Sequence, residues 1–376
     1  SSDIRFIFYP RRYFFDKGQS QYYQDRVLKH YRPWVVSLIK LAPIKMIIKS
    51  KIFERLTKFI ERSFQASPAI TAEIKQYNPS ALVATPVNMR GAYVAADLEY
   101  LKAAKALKIP TVVPIISWDN LTTKGLFHVL PDIFLAWNEE QKKEARKHNI
   151  PEEKIKIIGA PLFDSWFDPN LKPSTRENFC SKNGLSLDEN FVLYLGSSPS
   201  IAQDESWIVD ALRNALDKKI LIVVRPHPSN YKIYEKILRP GIIMIPKEGS
   251  LPGTKDALQL FYDSLSHAAA VINGVNTSGI IDATILNRPG IAILTEKYKA
   301  TQEGTQHFRQ VVHGGVLYAV NKFEEFRDIV DKIKKDDHKK KERGEFILNY
   351  IRPRGLNKLA GEAAREEIDQ LLTRNR

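Results

Sequence analysis

The chain has 376 residues, 43% hydrophobic and 27% charged, with a single cysteine and a formal net charge of +14. That length predicts two domains with separate cores, and the composition is that of a soluble globular protein without low-complexity tracts. Lone Cys180 excludes an intramolecular disulfide and a cysteine-cluster metal site and fits a reducing compartment.

No run of about eighteen apolar residues exists, so no membrane-spanning helix is expected, and no secretory signal is read. The positive charge points to an anionic partner: a nucleotide, a phospholipid surface or nucleic acid.

In chain order, Ile4-Arg5-Phe6-Ile7-Phe8-Tyr9 reads as an opening strand. Within residues 34–65, Lys51, Arg55, Lys58 and Arg62 recur at helical spacing, with Ile52, Phe53, Leu56, Phe59 and Ile60 on the other side. This basic helix, 51–62, is either an interfacial helix on an anionic membrane or an ordinary domain helix with a solvated face. Strand patterns follow at 81–84, 109–116, 133–137 and 155–158, separated by helical patterns at 95–107 and 139–148. Strands alternating with helices predict βαβ units and a parallel sheet.

Periodicity fails between about 163 and 187, where Pro169, Pro173 and several Asn and Ser residues cluster, as in an interdomain linker. A second α/β series then runs through strands at 191–195, 220–224, 241–245, 269–272 and 290–294, with helices at 207–216 and 261–268. The charge run 334–343 reads as a solvated helical face, and a last helix is expected at 359–372. The domains expected are therefore 1–165, joined by a crossing helix at 356–376, then a linker at 166–187 and a second domain at 188–355.

Two strand ends carry the strongest chemistry. Arg225-Pro226-His227-Pro228 closes the run Ile220 to Val224, and Asn276-Thr277-Ser278-Gly279 closes 269–272 and opens a helical pattern. Ligands of open α/β sheets bind beyond the carboxyl ends of strands. Arg225 suits a two-pronged phosphate contact, and His227 suits hydrogen bonding to phosphate or ribose or donation to a leaving group. Thr277, Ser278 and Gly279 suit an anion site at a helix start. The plainer alternatives are a turn with a surface histidine and ordinary N-capping.

Gly196, Ser197 and Ser198 also follow a strand and are weaker phosphate candidates. The polar loop with Gln302, Gly304, Thr305 and His307 would suit sugar hydroxyls, or is simply a capped loop. In the first half, Ser117-Trp118-Asp119-Asn120 follows a strand, and Lys124-Gly125 lie just beyond. Asp119 is placed for a general base, Trp118 for sugar stacking and Asn120 for an acceptor contact, unless the segment only caps the next helix. Asp97 and Glu99 lie on a helical stretch and read as structural or acceptor-side contacts. Phosphate-binding P-loop, dinucleotide and nucleophile-elbow signatures are absent, as are Asp-x-Asp pairs and His clusters, so neither metal nor cofactor is expected.

On these residues the chain resembles the GT-B glycosyltransferases over nearly its whole length. The resemblance implies two Rossmann-like domains with parallel sheets facing a central cleft, the donor held mainly by the second. The helix after Arg352-Pro353-Arg354-Gly355 is similar to that family's crossing helix. Arg225-Pro226-His227-Pro228 looks like the His-Pro motif of transferases using CMP- or CDP-linked donors, and Asn276-Thr277-Ser278-Gly279 like their Ser/Thr donor-phosphate motif. Asp119 occupies the place of the N-domain base, where those enzymes often have His or Glu. Segments 118–125, 137–140, 225–228, 276–279 and 304–308 are also similar to bacterial surface-polysaccharide proteins.

The leading expectation is a cytoplasmic, metal-independent glycosyltransferase of bacterial cell-surface polysaccharide synthesis, peripheral at the inner face of the cell membrane if helix 51–62 docks there. It would move a sugar from a CMP-, CDP- or UDP-linked donor to a glycan or lipid-linked acceptor, with Asp119 and His227 catalytic. Two alternatives remain: a nucleotide-sugar epimerase of the UDP-GlcNAc 2-epimerase type, for which few acidic candidates are evident, and a non-catalytic membrane- or nucleic-acid-associated binding protein. No nucleic-acid module is legible.

Overall fold

The computed structural model describes Leu28 and residues 32–85, 92–123 and 127–374. The opening strand expected at 4–9, and Lys124-Gly125, lie outside them. The fold is α/β with two all-parallel sheets, as the alternating pattern predicts. The chain divides into two compact units, Ser1–Asp164 with Leu348–Arg376, and Ser165–Ile347.

In the first unit, β1 (Leu82–Val83), β2 (Thr111–Pro114), β3 (Ile133–Ala136) and β4 (Ile155–Ile157) pair in sequential order. β3 is buried throughout, the mark of a parallel strand covered on both faces. The last helix, Ala360–Arg374, lays Ala363, Ala364, Ile368 and Leu371 on Val112, Ile133, Leu135 and Ile158. Asp164 starts that helix by accepting the amides of Ala360 (3.1 Å) and Gly361 (2.8 Å). It also pairs at 2.6 Å with the buried Arg352. Gly159, at φ +91°, lets the returning chain pass so closely that a Cβ would lie 2.8 Å from the Ile351 carbonyl.

In the second unit, β5 (Asn190–Leu195), β6 (Ile220–Arg225), β7 (Ile242–Met244), β8 (Val271–Asn273), β9 (Gly290–Ile293) and β10 (Leu317–Val320) form one sheet in the order β10-β9-β8-β5-β6-β7. Relabelled by position within the unit, this is the 3-2-1-4-5-6 order of the Rossmann fold. The chain direction across the sheet reverses between β5 and β8. Register fixes what lies there: Leu195 of the central β5 is opposite Arg225 on one side and Asn273 on the other. At about 4.8 Å per strand, those two residues end their strands roughly 10 Å apart.

Three segments differ from the sequence expectation. The stretch expected to lack periodicity holds a helix, Arg176–Asn183, capped by the Thr175 side chain and ended by Gly184 at φ +68°. Its Phe179 and Cys180 are buried, with Phe179 stacked on Phe191 of β5. The strand β10 was not expected at all; it follows Gly314-Gly315 and is short, with Ala319 exposed. The charge run 334–343 is not one solvated face. It breaks between helices Glu325–Lys335 and Lys340–Phe346, and Arg343 is fully buried, paired with Asp337 and donating from Nε to Asn287 Oδ1 at 2.8 Å. A buried guanidinium is kept inside because these oxygens replace its water.

Candidate functional site

The carboxyl edge of the second sheet gathers most of the singled-out residues. β6 is buried through all six residues, and Arg225 is its last, only 5% exposed. Its Nη2 donates to Ser250 O and Oγ, both at 3.0 Å, and its guanidinium lies 4.4 Å from the Phe261 ring centroid. Nη1 is buried without a hydrogen-bond partner. Burial pulls Arg225 down to about 10, partly offset by the carboxylate of Asp282. Burial likewise pushes Asp282 up to about 7, against the Trp166 indole N–H, which donates to Oδ1 at 2.7 Å, and against Arg225.

His227 is half-buried, and its Nδ1 accepts the Ser229 amide at 3.1 Å. In the neutral ring the proton therefore sits on Nε2, which is left as a donor. Burial lowers the His227 pKa, which favours this neutral tautomer. The loop after β7 presses against this segment: a Cβ on Gly249, at φ +71°, would lie 2.4 Å from the Pro226 carbonyl. Gly249 and Ser250 thus shape the site, and sequence reasoning missed both.

At the end of β8, Asn273 Oδ1 accepts the Thr277 amide at 3.1 Å, which turns the chain into the helix Gly279–Ile285. Ser278 is exposed and Thr277 half-buried, and the Thr277 hydroxyl accepts the Gly279 amide at 3.4 Å. Asn276 Nδ2 donates to Thr301 O (2.6 Å) and lies 3.2 Å from His307 Nε2. Asn273 Nδ2 and Asn276 Oδ1 are buried without partners. Three orphaned polar atoms at the ends of β6 and β8 flank the switch between β5 and β8. Native interiors satisfy nearly all such atoms, which makes this group a candidate place for an outside ligand.

Other expected residues serve the interior. Ser197 Oγ accepts the amides of Val275 and Asn276, both at 3.3 Å, which ties the end of β5 to the end of β8. The Ser198 hydroxyl lies 2.9 Å from that of Ser200, its carbonyl accepts the amides of Ile201 and Ala202, and Gly196 extends the ladder through its amide to the Arg225 carbonyl. Gln302 is 1% exposed and commits its whole amide: Nε2 to the carbonyls of Val275 (3.1 Å) and Ile293 (2.7 Å), Oε1 to the Thr295 amide (3.2 Å). Thr305 and His307 are buried, and Gly304 sits where a Cβ would meet the Ala300 carbonyl at 2.5 Å. These residues brace the β8 turn from behind.

Beneath the β5 end lies Glu205, fully buried and unread in the sequence. It accepts the Ser197 amide, the Tyr234 hydroxyl at 2.8 Å and the Tyr194 hydroxyl at 3.2 Å. Burial still pushes its carboxyl up to about 7. Gly274 packs on this knot; a Cβ there would lie 2.7 Å from Glu205 and 2.6 Å from the Tyr194 hydroxyl.

In the first unit, Asp119 lies just beyond β2 and is half-buried. Its carboxylate accepts the hydroxyls of Ser117 (2.6 Å) and Thr123 (2.8 Å), and its carbonyl starts the helix Asn120–Thr123. Asn120 Oδ1 accepts the amides of Ile116 (3.0 Å) and Ser117 (2.8 Å), and Trp118 is 6% exposed. Asp97 accepts the Thr85 hydroxyl, and Glu99 accepts the Ser67 amide at 2.9 Å.

No family model and no curated protein matches the chain. Solved structures do. The Neisseria meningitidis UDP-GlcNAc 2-epimerase bound to UDP-GlcNAc is similar at a TM-score of 0.55 and 15% identity, over 94% of this chain and 90% of that one. The S. aureus MnaA–UDP structure is similar at 0.54 and 13%, over 85% and 82%. A Rickettsia africae glycosyltransferase is similar at 0.50 and 16%, over 90% and 89%. At these identities the likeness establishes the fold, which is GT-B-like. The leading sequence expectation, a glycosyltransferase, is corrected: many of the similar structures are UDP-GlcNAc 2-epimerases, which favours the alternative named beside it. The physical reason for the misreading is plain. Both activities act on nucleotide-linked sugars, so motifs that bind phosphate do not distinguish them.

Proposed function

We propose that the protein is a nucleotide-sugar enzyme of the UDP-GlcNAc 2-epimerase type, with the UDP portion bound at the carboxyl ends of β5, β6 and β8. The observation that carries this reading is the group of buried, unpartnered atoms there: Arg225 Nη1, Asn273 Nδ2 and Asn276 Oδ1. A nucleoside diphosphate brings both anionic oxygens and hydrogen-bonding ribose and base edges to such a set. Fold neighbours solved with UDP or UDP-GlcNAc support the same ligand class.

Inverting C2 of the sugar requires removing a hydrogen that no adjacent carbonyl acidifies. Proton removal is therefore coupled to departure of the nucleotide. A base takes the C2 proton, the C–H electron pair becomes a C1–C2 double bond, and the C1–O bond breaks as UDP leaves with its pair. Proton return to the opposite face and re-addition of the UDP oxygen at C1 complete the exchange. Arg225 and the Nε2–H of His227 stabilise the charge growing on the leaving diphosphate. Two faces call for two acid–base groups.

Incubation with UDP-GlcNAc and no acceptor tests the reading. The expected result is a second UDP-N-acetylhexosamine, resolved by chromatography. Unchanged UDP-GlcNAc, with UDP binding demonstrated by calorimetry, rejects the epimerase and keeps the site; absence of UDP binding rejects both.

A further inference from the structure

The helix Lys51–Ser63 is packed the wrong way round for a core helix. Its two buried residues are polar, Thr57 and Glu61, and Glu61 pairs with the buried Lys102 at 3.1 Å. Glu54 accepts from Asn149 at 2.9 Å and holds Lys58 at 2.8 Å, and Arg62 donates to the His128 carbonyl at 3.3 Å. Ile52, Leu56 and Phe59 instead face outward, 78%, 51% and 69% exposed. The hydrophobic effect drives such side chains inward unless something else covers them.

The two preceding helices, Pro33–Lys40 and Ala42–Lys49, pack beside it. They share a small interior seam of Val35, Ile39 and Ile48 with partly buried Ile44 and Phe53. Beyond it they leave Trp34 61%, Met46 72% and Ile47 54% exposed. Charge is sorted just as sharply. Between residues 32 and 63 the only acids are Glu54 and Glu61, both turned inward, whereas Lys40, Lys45, Lys51, Arg55 and Arg62 are exposed. Exposed apolar side chains, an indole among them, interspersed with exposed cations are complementary to an anionic lipid surface, where acyl chains take the apolar groups and headgroups take the cations. No helix among the described residues is long and apolar enough to cross a membrane, so the contact is one of lying on the surface.

We infer that helices 33–63 form a membrane-docking face that seats the protein on an anionic bilayer. This is independent of what the second unit catalyses. The whole protein is mixed with vesicles of phosphatidylcholine alone or with about a third phosphatidylglycerol, and the bound fraction is read after sedimentation. Binding is expected to the anionic vesicles and to weaken with salt. The triple variant I52S/L56S/F59S, altered only at exposed positions, should lower partition more than about tenfold while its circular dichroism and UDP affinity stay unchanged. R55E should weaken binding to anionic vesicles only. Equal binding of the triple variant and the native chain, or no binding to anionic vesicles, overturns the inference. So does a native chain that dimerises in solution through this face, shown by light scattering in which the triple variant becomes monomeric, because a second copy would then be its occupant.

Discussion

Arg225 joins three properties that a structural arginine does not need together: near-complete burial, one guanidinium nitrogen bonded to Ser250, and the other left without a partner. A buried cation costs free energy unless paired and hydrogen-bonded. Here Phe261 and the field of Asp282 supply part of the compensation, and a bound diphosphate would supply the rest. The substitution Arg225→Lys keeps charge but loses the planar fork. UDP affinity, measured by calorimetry, should fall at least about tenfold, in line with the roughly 1.5–3 kcal/mol of a charge-assisted hydrogen bond. Unchanged affinity would move the nucleotide elsewhere. Arg225 and His227 were legible in the sequence because an apolar run ends on them. Asp282, Glu205 and Ser250 were not, since their relevance comes from contacts to Trp166, Ser197 and Arg225 that are distant along the chain.

The strands supply the site's rigidity, and the knot under β5 holds their ends together. Glu205 binds the Ser197 amide and the hydroxyls of Tyr194 and Tyr234, and Ser197 in turn binds the turn after β8. Its carboxyl has a folded pKa of about 7 against an ordinary 4.5, so the folded state holds the proton more tightly. The stability this confers is complete below about pH 4.5 and is lost as pH rises through about 7. Glu205→Gln removes the titration while keeping an acceptor for the Ser197 amide. Thermal denaturation should show the variant gaining on the native chain from about pH 4.5 to about pH 7 and levelling off above that; a constant difference across this window would contradict the assignment.

Most strands could be read from continuous apolar runs, which is how buried parallel strands look. β10 escaped because it is short and has an exposed residue. The helix Arg176–Asn183 escaped because the Pro- and Ser-rich sequence around it masked a Thr175 cap and a Gly184 stop. The order of the strands, and hence the switch between β5 and β8, was not legible, because pairing of distant segments leaves no local pattern.

For the molecule as a whole, the +14 charge narrowed the partner to something anionic without choosing it. We propose two anionic partners on different units, a diphosphate at Arg225 and His227 and a lipid surface at helices 33–63. The distinction between transfer to an acceptor and inversion within one sugar could not come from phosphate-binding motifs. It rests on where the C2 proton goes. UDP-GlcNAc alone in deuterium oxide, followed by proton NMR, reads this directly. The account predicts a second UDP-sugar with deuterium at C2 and loss of the C2 proton signal at the rate of conversion. An intact C2 proton after prolonged incubation with saturating enzyme would contradict it.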